Sequence, residues 1–254
     1  MFLKVAFWSS GTSPGEVTEK LAAIGAVCAL HYNMHLILSS SYLSNHMIED
    51  CFLDRTNYRP EKWHPFCACY GEPEYYRTLW ERQRQGIHAS PVADDRIILA
   101  EPRDSYAPFG FIKERQDLWQ LMDLGVQQSL SAKQALEEAD AAVVFLSSIM
   151  ENEEEFFKNY ASIIPKALFV VEKRTGKQSC TAERLAACYG ISKERISYLS
   201  PNKEYSYACD MGEVIRFFDE NLFCSSDHKN YEFIHQVKTA IRKLRKMQKG
   251  VVSA

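Results

Sequence analysis

Short apolar runs alternate with longer segments of helical periodicity over most of the chain. The runs predict buried β-strands at residues 3–9, 35–40, 96–100, 118–124, 141–146, 166–172 and 196–199. Apolar residues at spacings of three and four predict helices at residues 14–32, 131–139, 151–163, 181–189, 208–221 and 228–248. Because strands alternate with helices, we expect an α/β fold in which helices flank a mostly parallel sheet on both faces.

Residues 42–115 depart from this alternation. They are rich in aromatic residues, arginine and proline, and they show no strong period before the strand predicted at 96–100. We therefore expect a single domain over residues 1–254 that carries a divergent insertion at about 42–115.

The composition is that of a globular protein that can bury a substantial core. Of the 254 residues, 46% are hydrophobic and 25% are charged, and a net charge of −3 argues against a surface that grips nucleic acid everywhere. No apolar run approaches the roughly 18–20 residues needed to span a bilayer, and the N-terminus lacks the features of a signal peptide. The eight cysteines are scattered, several of them within apolar segments. These features predict a cytoplasmic protein with reduced thiols.

The loop between the first strand and the first helix is the main candidate for a binding site. A strand, a glycine-containing loop and a helix N-terminus together favour an anion, because unpaired backbone N–H groups gather there. Ser13, Pro14 and Glu16 also form a capping-box pattern, with Ser at the cap, Pro at the first helical position and Glu at the third. Glu16 would then supply, from within the chain, the carboxylate that suits a helix N-terminus. We therefore hypothesise that this helix end caps itself and needs no phosphate.

The sequence of this region, VAFWSSGTSPGEVTEKLAAIGAVCAL, resembles the start of the ParA/MinD family of P-loop ATPases, whose loop reads KGGxGKT. Matched position by position, Gly15 retains the glycine before the catalytic lysine, and Thr18 retains a threonine that follows the loop. Glu16 stands where the catalytic lysine belongs, Val17 where the magnesium-binding hydroxyl belongs, and Gly11 where the signature lysine belongs. On the loop alone, a strand–turn–helix of an unrelated α/β protein fits equally well.

Two later segments support the resemblance. The stretch LMDLGVQQSLSAKQALEEADAAVVFLS is similar to the family's DTPPGxxxxxxxALxxADxVVVxxx, with Asp123 at the switch II aspartate and Asp140 in the "AD" before the next strand. Near the C-terminus, ISYLSPNKEYSYACDMGEVIRFF resembles the family's IPYNxxFxxAxxxGKxxxxF, and Pro201 matches the residue after which the loop wraps the adenine. The resemblance covers residues 1–50 and 95–250.

The resemblance implies a P-loop NTPase-like fold of three layers with an altered nucleotide site. Asp123 would be a vestige of the catalytic machinery. The positions that match the nucleotide site are Gly11, Gly15, Glu16, Val17, Thr18 and Pro201. The second strand of active relatives ends in a DxDxQ-like stretch, whereas Leu38–Tyr42 contains no carboxylate. Because phosphoryl transfer depends on positioning and charge stabilisation, we expect no cofactor and no resident metal, with ATP or ADP and Mg²⁺ as the alternative.

Other clusters carry weaker signals. His64, Cys67 and Cys69 could suggest zinc, but a CxC spacing without a second close pair favours a buried, aromatic-rich subdomain instead. The many aromatic and arginine side chains between residues 63 and 84 could stack on nucleic-acid bases, although such mixtures more often form a small local core.

The C-terminal helix is amphipathic and basic. Apolar residues from Phe233 to Leu244 line one face, and lysine and arginine cover the rest, with no acidic residue after Glu232. The residues leave open a helix docked on the sheet with a solvated basic face, or a surface for anionic lipid or DNA, as the resemblance implies.

The resemblance favours a positioning or scaffold factor with impaired nucleotide hydrolysis that acts as a homodimer. Its partners would be proteins of a cell-pole, pilus or partition machinery, as for the atypical relatives of tight-adherence (Tad) pilus systems. We expect a cytoplasmic protein, with peripheral association at the inner face of the membrane as an alternative. An active ATPase for plasmid or chromosome partition that uses Lys20, and a nucleotide-independent nucleic-acid-binding protein, remain competing hypotheses.

Overall fold

The structure is a computed structural model of the chain. It describes residues 3–9, 14–40, 48–52, 97–100, 118–126, 130–146, 154, 157–172 and 182–251. The aromatic and histidine–cysteine clusters predicted between residues 63 and 84 lie outside this part of the chain.

The described residues contain one seven-stranded sheet. Its strands are β1 (Leu3–Ser9), β2 (His35–Ser40), β3 (Ile97–Ala100), β4 (Leu118–Asp123), β5 (Ala141–Leu146), β6 (Ala167–Val171) and β7 (Ile196–Tyr198). They follow the order β3-β2-β4-β1-β5-β6-β7, and every neighbouring pair is parallel. All carboxyl ends therefore meet at one edge, where Phe7 of β1 is in register with Asp123 of β4.

Helices cover both faces of this sheet. They are α1 (Pro14–Tyr32), α2 (Ile48–Phe52), α3 (Leu130–Glu138), α4 (Ala182–Tyr189), α5 (Lys203–Asp210), α6 (Val214–Asn221) and α7 (Tyr231–Val251), with 3-10 turns at Ile164–Lys166 and Lys193–Arg195. Alternate residues of one strand enter opposite cores: Val5 and Phe7 pack beneath α1 and α7, whereas Ala6 and Trp8 pack beneath α3 and α4. The three-layer parallel α/β fold predicted from the sequence is confirmed.

Most predicted elements lie where the pattern placed them, and β1, α1 and β2 have the predicted bounds. The helix predicted at 208–221 is wrong, because two helices, α5 and α6, occupy this region. Gly212 adopts a φ of 72°, a left-handed conformation that ends a helix and favours glycine. The helix predicted at 151–163 also extends too far, since residues 161–163 form a turn that leads into the 3-10 turn containing Pro165. The final helix begins at Tyr231 and not at residue 228.

Candidate functional site

The candidate site lies at the carboxyl edge of the sheet, where α1 begins shortly after β1 ends. The carboxylate of Asp123 stands at the end of the neighbouring strand β4 and is 0% exposed. Parallel α/β sheets bind ligands beyond the carboxyl ends of their strands, so this is where a nucleotide would be expected.

The Asp123 carboxylate is held from two sides. Thr18 Oγ1 donates a hydrogen bond of 2.5 Å to Asp123 Oδ2, and the backbone N–H of Gly125 donates one of 2.8 Å to Oδ1. Thr18 is only 1% exposed, so water does not compete for its hydroxyl. Hydrogen bonds of hydroxyl groups to carboxylates are short and about twice as strong as those between neutral groups. Both oxygens of the carboxylate are therefore engaged inside the protein.

The turn after β4 continues the strand pairing. Leu124 N–H donates to the Phe7 carbonyl at 2.9 Å, and Ser9 N–H donates to the Gly125 carbonyl at 3.0 Å. Gly125 has a φ of 60°, which glycine adopts without strain. The turn is thus fastened to β1, and this placement directs the Gly125 N–H back towards Asp123.

Val17 stands where the resemblance places the magnesium-binding hydroxyl, and its side chain is part of the core. It is 0% exposed and packs in the same cluster as Leu21, one turn further along α1. Thr18 is the next residue, rotated by about 100° around the helix, and it is this residue that contacts Asp123. The hydroxyl at this edge of the sheet therefore belongs to Thr18, and it points at an aspartate of the same chain.

Glu16 and Lys20 form an ion pair along the first turns of α1. Their charged atoms are 3.6 Å apart, and the side chain of Glu16 is 47% exposed whereas that of Lys20 is 18% exposed. Lys20 Nζ also lies 5.1 Å from the centre of the Phe145 ring. The i,i+4 spacing of Glu16 and Lys20 along the helix favours this pairing. Gly15 is half-buried in the first turn of α1, while Gly11 and Ser13 lie outside the described residues.

Pro201 is exposed in the loop that follows β7, and the residues on either side of it are held in place. Gln236 of α7 accepts a hydrogen bond of 2.7 Å from the Ser200 N–H. The Asn202 side chain accepts one of 2.9 Å from the Tyr205 N–H and so caps the start of α5. Asn230 donates to both Glu204 and Asn221. Side chains of α7 and of the segment before it therefore fix this loop.

Helix α5 ties this loop to α1. The Tyr205 hydroxyl donates a bond of 2.6 Å to the Glu19 carbonyl, and Ser206 Oγ lies 3.0 Å from Glu19 Oε2. Burial raises the pKa of the Glu19 carboxyl; the Ser206 hydrogen bond opposes that shift and nearby Asp210 adds to it. Sequence reasoning missed these contacts, because no local pattern indicates that residues so far apart in the chain will meet.

The positions that the resemblance matches to the catalytic lysine and the magnesium-binding hydroxyl do not carry the groups that a magnesium–nucleotide complex uses. Such a complex needs a cation for the γ-phosphate and a hydroxyl for the metal. The position matched to the catalytic lysine holds the carboxylate of Glu16, and the position matched to the magnesium-binding hydroxyl holds the buried Val17. The nearby Thr18 hydroxyl is bonded to Asp123. Among the described residues, no three His, Cys, Asp or Glu side chains form a group that could hold a metal.

Helix α7 is docked on the core. Its apolar residues, including Val237 and Ile241, are fully buried against the α1 side of the sheet. Lys238 donates a bond of 2.6 Å to the Leu222 carbonyl, and Lys243 donates to the carbonyls of Lys193 and Ile196. No helix in the described part of the chain is long and apolar enough to cross a membrane.

The structure is similar to those of MinD and ParA proteins. The MinC:MinD cell division protein complex of Aquifex aeolicus aligns with a TM-score of 0.63 and 10% identity over 96% of both chains. A ParA family ATPase of Chlorobium tepidum TLS aligns at 0.57 and 9%, over 94% of this chain and 98% of that one. A putative plasmid partition protein of Borrelia burgdorferi B31 bound to AMPPNP aligns at 0.55 and 13%, over 97% and 99%.

Neither a protein-family model nor a curated protein sequence matches the chain. At such low sequence identities, the structural similarity establishes only the fold. The chain therefore has the three-layer P-loop NTPase fold of the MinD and ParA ATPases.

Proposed function

We propose that this chain is a ParA/MinD-like protein with impaired nucleotide hydrolysis that acts as a positioning or scaffold factor. The observation that carries the proposal is the 2.5 Å hydrogen bond between Thr18 and Asp123, formed beside a Val17 that is packed in the core. The hydroxyl of Thr18 and the carboxylate of Asp123 are bonded to each other, and Val17 has no hydroxyl to offer. We infer that these residues handle phosphate and metal poorly. The fold that supports the outer surfaces of such proteins is retained.

The charge at the start of α1 supports the same proposal. A nucleoside triphosphate would place its negative charge near the exposed carboxylate of Glu16, and the phosphates and the carboxylate would repel each other. Lys20 is the nearest replacement for the lost lysine, but it already pairs with Glu16 and lies over Phe145. Engaging phosphate through Lys20 would require breaking both contacts. This disfavours the active-ATPase hypothesis.

We further propose that the protein forms a homodimer without ATP and binds a protein partner of a cell-pole, pilus or partition machinery. One of the similar structures is that of a MinC:MinD complex, and another is that of a putative plasmid partition protein. If the site does not bind phosphate, ATP cannot control dimerisation. We therefore favour a two-fold interface that forms without nucleotide. We also propose that the protein is cytoplasmic, with peripheral association at the inner face of the membrane as the alternative.

Calorimetric titration of the full chain with ATP and with ADP, each with Mg²⁺, tests the proposal. We expect no heat of specific binding and no phosphate release above background. The matched variant carries Glu16→Lys together with Val17→Thr, which returns the residue types that the resemblance expects at these two positions. A gain of nucleotide binding in this variant alone would support a pocket impaired at these two positions.

Two outcomes would contradict the proposal. One is ATP turnover by the wild-type chain that is lost on Asp123→Ala, because Asp123 would then act in catalysis. The other is a monomer at tens of micromolar that dimerises only with Mg-ATP, as measured by light scattering over a concentration series. Either result would revive the active-ATPase hypothesis, and loss of turnover on Lys20→Gln would identify its lysine.

A further inference from the structure

Two cysteines from distant parts of the sequence lie side by side above α1. Cys51 belongs to α2 and Cys209 to α5, and these two helices pack against each other. Both are free thiols, 5% and 4% exposed, in the same apolar cluster. The side chain of Cys209 is the first of the neighbours that raise the pKa of the Cys51 thiol. Because α2 follows β2 and α5 follows β7, the contact joins segments from opposite halves of the sheet.

The surroundings of the pair decide when it can react. Contact with Cys209 and burial together hold the pKa of the Cys51 thiol well above its usual range, and the nearby carboxylates of Glu19 and Asp50 act in the same direction. A thiol must ionise before it attacks a disulfide. In this structure the Cys51 thiol is therefore protonated, and both cysteines are shielded from solvent. Reaction requires α2 to move away from α5.

The other described cysteines offer matched controls. Cys188 is exposed on α4, and Cys28 is buried in α1. Burial raises the pKa of Cys28 to about 12, with Arg245 opposing the shift. Cys28 is thus buried like Cys51 and also has a raised pKa. The first cause of the shift is burial for Cys28 and the neighbouring Cys209 for Cys51.

We propose that Cys51 and Cys209 are a disulfide-forming pair that fastens α2 to α5, with a low-molecular-weight disulfide as the oxidant. The thiolate of one cysteine attacks the oxidant, forms a mixed disulfide and releases one thiol. The thiolate of the other cysteine then attacks the protein sulfur of that mixed disulfide and releases the second thiol. The two protons lost by the cysteines end on the two released thiols, so one disulfide is reduced for each disulfide formed.

The linkage would act on the candidate site through α5. Tyr205 and Ser206 of this helix contact Glu19, one position along α1 from Thr18. The same helix begins at Asn202, beside Pro201. Fastening α5 to α2 would therefore fix the loop after β7 and the start of α1 relative to each other, whether or not a nucleotide binds.

The test oxidises the full chain carrying Cys188→Ser with glutathione disulfide and maps the cysteine peptides by mass spectrometry without reduction. We expect one cross-linked peptide pair that joins Cys51 to Cys209, lacks two hydrogens and disappears on reduction. It should form slowly in native buffer and several-fold faster in mild urea, which opens α2. Cys28→Ser should leave the cross-link intact, whereas Cys51→Ser and Cys51→Ala should each abolish it.

Separate glutathione adducts on Cys51 and Cys209 in urea, with no cross-link, would overturn the proposal. So would cross-linking of either cysteine to a different cysteine. A third measurement tests the fastening itself: the oxidised chain should melt at a higher temperature than the reduced chain, because a cross-link between distant segments restricts the unfolded state. An unchanged or lower melting temperature would contradict it. None of these results depends on nucleotide binding, so the proposed function stands or falls separately.

Discussion

Removing the hydroxyl of Thr18 tests the contact on which the candidate site depends. Thr18→Val keeps the shape of the side chain but removes the hydroxyl that donates to Oδ2 of Asp123, a residue that is 0% exposed. A hydrogen bond to a charged group contributes about 1.5–3 kcal/mol. The Gly125 N–H still binds the other oxygen, which limits the loss. We therefore expect the free energy of unfolding to fall by about 2–3 kcal/mol. In a chain of this size that lowers the melting temperature by roughly 5–10 °C.

Urea denaturation without nucleotide or magnesium measures this loss. Thr18→Ser is the matched control, because it keeps the hydroxyl and loses only a methyl group, at a cost of about 1 kcal/mol. In the Asp123→Asn background the partner is neutral, so Thr18→Val should cost only about 1 kcal/mol there. The difference between the two backgrounds is the coupling between the hydroxyl and the charge.

An equal loss in both backgrounds, or a loss of less than about 0.5 kcal/mol in the wild-type background, would refute the reasoning. The bond between Thr18 and Asp123 would then contribute little to the free energy of unfolding, and the Asp123 carboxylate would be available to a ligand. A loss that Mg-ATP largely reverses in Thr18→Val would lead to the same conclusion.

Three further predictions follow, one from the capping-box pattern at Ser13 and two from contacts in the structure. Ser13→Ala should lower the melting temperature without any nucleotide, since a helix cap contributes roughly 0.5–2 kcal/mol; a shift seen only with ATP would contradict a self-capped loop. Glu19→Gln should stabilise the protein at pH 7, because the folded-state pKa of Glu19 is raised and the wild type therefore loses stability as pH rises from the unfolded pKa through the folded one. In thermal melts this advantage over the wild type should vanish below pH 4.5, the ordinary pKa of a glutamate. Lys243→Met should cost about 1 kcal/mol in urea denaturation, because it removes the donor to two backbone carbonyls, and Lys246→Met, which loses only an exposed ion pair with Glu194, should cost less.

Local patterns were sufficient to predict the elements around the candidate site. β1, α1 and β2 were predicted to the residue, because each joins a clear apolar period to a polar or glycine-containing boundary. The break between α5 and α6 had a local signal as well, in Gly212, but the apolar residues that continue on both sides obscured it. Periodicity shows which face of a helix is buried and is a poor guide to where one helix becomes two.

The contacts within the site were harder to predict, because they depend on how segments meet. Matching the loop by position placed the missing hydroxyl at residue 17, whereas the structure shows that the next residue, Thr18, faces Asp123. The Lys20 pairing was predictable, since its partner lies one turn away in the same helix. The bonds of Tyr205 and Ser206 to Glu19 were not, since they join α5 to α1 across most of the chain.

The bonds within this site also bear on the affinity that a nucleotide could reach. Two groups that a bound nucleotide could satisfy in this fold are engaged within the chain: Asp123 by Thr18, and the loop beside Pro201 by Gln236. A ligand that needed the Asp123 carboxylate would have to break a contact that contributes about 1.5–3 kcal/mol, and every 1.4 kcal/mol weakens binding tenfold. The Thr18 bond alone would therefore reduce affinity by about 10–100-fold, before the repulsion from Glu16 is added. The same bond stabilises the folded chain in the absence of ligand. This combination suits the proposed scaffold, because its folded state would not depend on the nucleotide concentration.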